Sequence, residues 1–137
     1  MASVFSKIIE GSLPGYIIAQ NNDAIAFLDI QPLAIGHVLI VPKKEVDYIF
    51  DLDDETYQSI HALAKKVAHA QRKVIPCIRI GVAVIGLEVP HAHIHLIPLN
   101  KISDINFSLP KLNVSAEQLK STCELIKAAY QNLYGNS

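Results

Sequence analysis

Apolar residues recur with two different periods along this chain, and each change of period marks an element. The segment SKIIEG reads as a short helix ending near Gly11. Tyr16 to Gln20 and Ala24 to Ile30 are β-rich runs separated by Asn21, Asn22 and Asp23, which tolerate tight-turn geometry and predict a hairpin. Pro32 and Gly36 punctuate a loop, and His37 to Pro42 predicts a third strand. Beyond Asp51 the period lengthens. Ile60, Leu63, Ala64 and Val67 fall at i, i+3, i+4 and i+7, one face of a helix. Asp53, Asp54 and Glu55 lie in its first turn, Arg72 and Lys73 at its end, and Pro76 stops it. Cys77 to Ile85 and His93 to Pro98 predict two more strands. Ser115 and Gln118 form an S-x-x-Q capping box. Leu119, Cys123, Ile126, Tyr130 and Leu133 then give the narrow apolar stripe of an amphipathic helix.

The order is hairpin, strand, helix, two strands, helix. Short connections between several strands favour an antiparallel α+β sheet over a doubly wound one. The 137 residues suit a single domain over 1–137, with half of them apolar. Twelve basic and thirteen acidic residues leave a net charge of −1, which provides no electrostatic footprint for a nucleic-acid polymer. Cys77 and Cys123 lack CxxC spacing and suit reduced thiols. The N-terminal segment does not read as a signal peptide, and the longest uncharged apolar run, Ile80 to Leu87, is too short for a bilayer. A cytoplasmic protein with no membrane partner is expected.

The chemistry concentrates in Pro90 to Leu99, PHAHIHLIPL. If a strand already begins near His91, then His91, His93 and His95 line one face while Ala92, Ile94 and Leu96 point to the core. Two readings follow. Imidazole is a common metal ligand, but strand residues two apart are separated by roughly 6.5–7 Å, so one flat strand does not easily bring three rings onto one ion. Alternatively, neutral imidazole carries an unshared pair at neutral pH and can attack phosphorus to form a covalent intermediate. Flanking imidazoles would then hold phosphate oxygens.

PHAHIHLIP resembles the motif of the histidine triad (HIT) family. VFSKIIEGSLPGYII and AIAFLDIQPLAIGHVLIVPKKEV resemble that family's N-terminal and central stretches, so the likeness covers about residues 4–99 and leaves a helical extension at about 113–134. The resemblance implies a five-stranded antiparallel sheet with one long helix, in a meander-like order, usually in homodimers. It implies a hydrolase or transferase acting at the α-phosphorus of nucleoside monophosphate conjugates, such as purine phosphoramidates or adenylyl derivatives, with no cofactor. His93 matches the nucleophile. His91 and His95 match the flanking members, and His37 the fourth histidine that orients the nucleophile. Asp29 matches the residue that binds ribose hydroxyls, as a carboxylate facing a cis diol can. Val4, Phe5, Phe27 and Ile30 match positions that sandwich the base, and Gly86 and Glu88 remain in the loop before the triad.

The sequence also departs from the family pattern. Several bacterial members bind a structural zinc through two cysteines and two histidines. Here Ser3, Ser6 and Glu45 stand at three of those positions, and no metal is expected. Ile80 stands where many members have Asn, and Leu87 where many have Gln. These losses keep two alternatives open: dinucleoside polyphosphate hydrolysis, and a nucleotide-binding protein with weakened catalysis. Local sequence gives His61, His69, Lys43 and Lys44 surface roles.

Overall fold

The computed structural model describes residues 2–135. Helix α1 spans Val4–Glu10, and the hairpin strands are β1 (Ile17–Gln20) and β2 (Ala24–Leu28). Strand β3 (Val38–Pro42) is followed by the long helix α2 (Asp54–Val74), then β4 (Arg79–Ala83), β5 (Ile94–Leu99) and α3 (Ala116–Tyr134). Two short 3-10 turns, Ile49–Asp51 and Ile102–Ile105, were not legible in the pattern. All strand pairs are antiparallel, in the order β1-β2-β3-β5-β4. The sheet is a meander through β3, and β5 then inserts between β3 and β4.

The helix ends follow local chemistry. Ser3, Asp53 and Ser115 each accept a hydrogen bond from the backbone N–H three residues on, so each helix begins on a side-chain cap. Gly11 closes α1 in the left-handed region at φ 87°. One half of the expected capping box is not formed. The Gln118 side chain donates to Thr122 Oγ1 at 3.0 Å instead of returning to Ser115. Leu133, the last residue of the expected stripe, is 40% exposed rather than buried, and Ala129 and Thr122 are buried in the same helix.

Both faces of the central strands are buried, and they serve different purposes. Ala24, Ala26, Leu28, Val38, Ile40, Ile94 and Leu96 face α2 and α3, packing with Ile60, Leu63, Val67 and Ile126 into the main core. Ile25, Phe27, Leu39 and Val41 face the other way and are covered by Phe5 of α1. That second face has only one short helix over it, so space remains beside α1. The turn before β3 is tight: Gly36 has φ +91°, and a Cβ there would lie 2.9 Å from Ile75 Cγ1. No helix of the described residues is long and apolar enough to cross a membrane.

Candidate functional site

Strand parity carries two histidines to the thinly covered face. Leu39 pairs with His95 across β3 and β5, and His37 sits two residues before Leu39 with the same parity. The triad itself departs from the alternating strand that its spacing predicts. Strand β5 begins at Ile94, so His91 and His93 precede the ladder. All three are nonetheless buried on the α1 side, with Phe5 edge-on to His91 (5.8 Å between centroids) and His93 (5.0 Å). Ala92, Ile94 and Leu96 point into the main core, as alternation requires.

Hydrogen-bond partners fix the proton on every ring. The Leu33 N–H can only donate, so His37 Nδ1, 3.1 Å away, is unprotonated and Nε2 carries the hydrogen. That Nε2–H donates to His95 Nδ1 at 2.9 Å, which leaves the His95 hydrogen on Nε2. His91 Nε2 donates to the Pro42 carbonyl at 2.8 Å, and its Nδ1 accepts from the Ser3 hydroxyl at 2.7 Å. His93 Nδ1 faces the His91 carbonyl at 2.7 Å and must donate to it. In the neutral His93 ring the unshared pair therefore lies on Nε2. Among the described residues, Gln71 Oε1 is the buried side-chain polar atom without a partner, so the unbonded Nε2 atoms of His93 and His95 reach open space.

Burial keeps His37, His91 and His95 neutral. Desolvation, followed by the fields of His95 and Lys111, pushes His37 down to about 3. Desolvation, followed by His93 and Lys111, pushes His95 down to about 4. Burial lowers His91 as well. Asp29 Oδ2 approaches His37 Nε2 to 3.7 Å, but burial raises the Asp29 carboxyl and His37 is neutral, so the contact is not an ion pair.

His93 and His95 open onto a cavity of about 350 Å³, within the size range of small-ligand sites. Phe5, Asp29, Gln31, Leu39, Ile85, Gly86, Leu87, Glu88, Val89, Phe107 and Lys111 complete its lining. The site thus brings together Phe5, Asp29, Gly86, Glu88, His93 and His95 from the sequence reading. His37 and His91 stand behind the lining, where His37 Nε2–H donates to His95 Nδ1 and the His91 carbonyl accepts from His93 Nδ1–H. Phe27 lies beneath Phe5, 5.6 Å between centroids, and does not line the cavity. Val4 and Ile30 are exposed outside it. A second hollow of about 370 Å³ lies across the 84–87 loop, lined by Tyr48, Phe50, Tyr57 and His61 among others, and also reaches His93. His69, Lys44 and Glu45 are at the surface.

Sequence reasoning missed Gln31, Leu39, Ile85, Val89, Phe107 and Lys111. Parity with His37 marks Leu39. Phe107 and Lys111 belong to an irregular stretch with no period to expose them.

Two residue groups bear on metal binding. Ser3, Ser6, Glu45 and His91 converge, but two ligand positions offer hydroxyls rather than thiolates, and the polar atoms satisfy one another. Ser6 Oγ donates to Glu45 Oε1 at 2.7 Å, and the Ser3 N–H donates to the same oxygen. Bonds from Ser3 and Ser6 hold Glu45 down to about 2. This set does not fit a structural zinc. Asp29, His37 and His95 also offer ligand atoms within 4.8 Å of one another. There the His37 Nδ1 and His95 Nδ1 pairs are already occupied by N–H donors.

The HIT domain family matches residues 10–102 of the chain. Adenosine 5'-monophosphoramidase hnt1 of Schizosaccharomyces pombe is 31% identical over 93% of this chain and 98% of that protein. An uncharacterized HIT-like protein of Borreliella burgdorferi is 33% identical over 85% of this chain and 90% of its own. The crystal structure of a Hit-like protein involved in cell-cycle regulation from Bartonella henselae superposes with a TM-score of 0.81, at 30% identity, covering 93% of this chain and 95% of that one.

Proposed function

The chain belongs to the histidine triad family, and on that premise we propose that it is a metal-free hydrolase or transferase of nucleoside monophosphate conjugates, with purine phosphoramidates as substrates. The observation that carries this reading is the proton arrangement. His93 Nδ1–H is committed to the His91 carbonyl, which places the unshared pair of the neutral ring on Nε2, at the cavity wall. In the reaction, His93 Nε2 attacks the α-phosphorus and the phosphorus–nitrogen bond to the leaving amine breaks. The amine departs with a proton drawn from water. The His95 Nε2–H donates a hydrogen bond to a phosphoryl oxygen while charge builds there. Water then attacks the nucleotidyl-histidine, which restores His93 and releases the nucleoside monophosphate. Asp29 accepts from the ribose hydroxyls, and Phe5 supports the base. His37 and His91 act as positioning residues. The phosphoramidase relative supports the substrate class.

The protein acts as a homodimer in this proposal. Strand β4 is an open sheet edge carrying Val82, 62% exposed, next to a loop carrying Leu87, 88% exposed, and an apolar edge of this kind needs cover.

Incubation with adenosine phosphoramidate, an acid quench and peptide mass spectrometry test the chemistry. An adenylylated peptide containing His93 is expected in the wild type and absent in His93→Asn, with turnover lower by about three or more orders of magnitude. His61→Asn leaves the rate unchanged. Equal turnover in wild type and His93→Asn overturns the assignment.

A further inference from the structure

After β5 the chain does not leave the site. Residues 106–112 run back across it as a strap. The strap is pinned at one end by a turn in which Leu109 N–H donates to the Asn106 carbonyl at 3.2 Å. At the other end the Leu112 N–H donates to the Pro32 carbonyl at 2.8 Å, in the loop between Asp29 and His37. Two strap side chains line the cavity. The Phe107 ring packs edge-on against His95, 4.7 Å between centroids, and Lys111 Nζ lies 5.1 Å from the centre of the Phe107 ring. The ammonium is therefore carried on the Asp29–His95 side of the cavity, close to where the pinned backbone fixes its Cα.

The charges on the cavity wall give this placement meaning. Asp29 and Glu88 are carboxylates, His93 and His95 are imidazoles, and apart from Lys111 the remaining lining is apolar or an amide. A phosphoryl group carries negative charge throughout its transfer. Between two carboxylates it gains a hydrogen bond from the neutral His95 ring but no compensating charge. Lys111 is the cation of the lining, and no described carboxylate lies within ion-pair distance of its ammonium. Its charge is thus available to a ligand.

Resting on the nucleotide reading of the site, we propose that Lys111 is the anion-binding residue of the cavity. Held over His95 by Phe107, its ammonium contacts the phosphoryl oxygens and makes the site select a phosphorylated nucleoside over the nucleoside alone. Selection by a cation from the strap also supplies polarity that the apolar loop at Ile85, Leu87 and Val89 does not provide.

Calorimetric titration with AMP and with adenosine tests this in the wild type, Lys111→Met and Lys111→Arg. Loss of one charged hydrogen bond predicts roughly 10- to 100-fold weaker AMP binding in Lys111→Met. Adenosine affinity stays the same, Lys111→Arg recovers most of the loss, and the salt dependence of AMP binding flattens in Lys111→Met. AMP affinity equal in wild type and Lys111→Met overturns the role of Lys111 and leaves the nucleotide reading standing. A parallel loss for AMP and adenosine also overturns it, because the side chain then only braces the strap. A wild type that binds neither compound overturns the nucleotide reading itself, and this inference with it.

Discussion

Replacing His37 by leucine tests whether the imidazole chain is neutral. His37 is 1% exposed, accepts from Leu33 N–H and donates to His95 Nδ1. His37→Leu leaves both of those groups unpaired, at about 1–3 kcal/mol each, and the apolar side chain offsets part of the cost. A net loss of about 2–4 kcal/mol is expected at pH 7. The pH dependence is more decisive. The ring has a folded pKa of about 3 against 6.5 in the free side chain. Below 6.5 the unfolded wild type gains a proton on this residue that the folded state refuses, so its contribution to stability falls as pH drops towards 3. One unit is about 1.4 kcal/mol, so between pH 7 and pH 5 the wild type loses about 2 kcal/mol that the variant, lacking the ring, does not lose. In the variant His95 loses the donor that holds its Nδ1 unprotonated and protonates more easily, which adds to the same trend. The stability gap between them should therefore narrow by about 2 kcal/mol or more on acidification. Urea unfolding followed by far-ultraviolet circular dichroism measures this in a chain without tryptophan, at one fixed protein concentration. An imidazolium paired with Asp29 across their 3.7 Å contact would instead have a raised pKa and widen the gap at low pH. A widening gap refutes the neutral chain.

Ser3→Ala removes a helix cap and the donor to buried His91 Nδ1, together about 2–4 kcal/mol, and an unchanged melting temperature would contradict that network. Elemental analysis of protein purified without a histidine tag should find no stoichiometric zinc, because Ser3, Ser6 and Glu45 bind one another; near one zinc per chain would defeat this. Light scattering should give about twice the 15.1 kDa chain mass, and a clean monomer at micromolar concentration would sink the dimer.

The sequence exposes those features that rest on local periodicity. Ile60, Leu63, Ala64 and Val67 are all buried in α2, and the hairpin over 17–28 forms around Asn21, whose Oδ1 accepts from Asp23 and Ala24 N–H groups. Run lengths overestimate strands. Asp29 and Ile30 fall outside β2 because the Asp29 carboxylate turns back to the Gln31 N–H, and Cys77, Ile78, Val84 and Ile85 fall outside β4. Histidine spacing marks the chemical centre, but the ladder starts too late to include His91 or His93. The proton assignments need Leu33, Pro42 and the His91 carbonyl, backbone groups that no residue pattern encodes. The cavity wall at Phe107 and Lys111 depends on the strap returning to Pro32, a contact eighty residues apart in the chain.

His91 shows how a change far from the reacting atom can reach it. Its ring is held by the Pro42 carbonyl on one side and the Ser3 hydroxyl on the other, so its backbone is fixed between the end of β3 and the start of α1. The carbonyl of the same residue receives the His93 Nδ1–H. Orientation of the proposed nucleophile therefore passes through Ser3, which is itself held by Glu45 through its N–H and by Ser6 through its hydroxyl. Serine can take over this duty because the task is to supply one donor to Nδ1 and to cap α1, and a hydroxyl does both at once. The arrangement also makes α1 a functional element. Phe5, one helical position beyond the first, packs against His93 and covers the second face of the sheet. Loosening Ser3 would therefore disturb ring support, base contact and proton placement together. Weakened binding and weakened chemistry are expected to appear jointly in any variant of this corner, whereas Lys111 variants should separate binding of the phosphate from binding of the nucleoside.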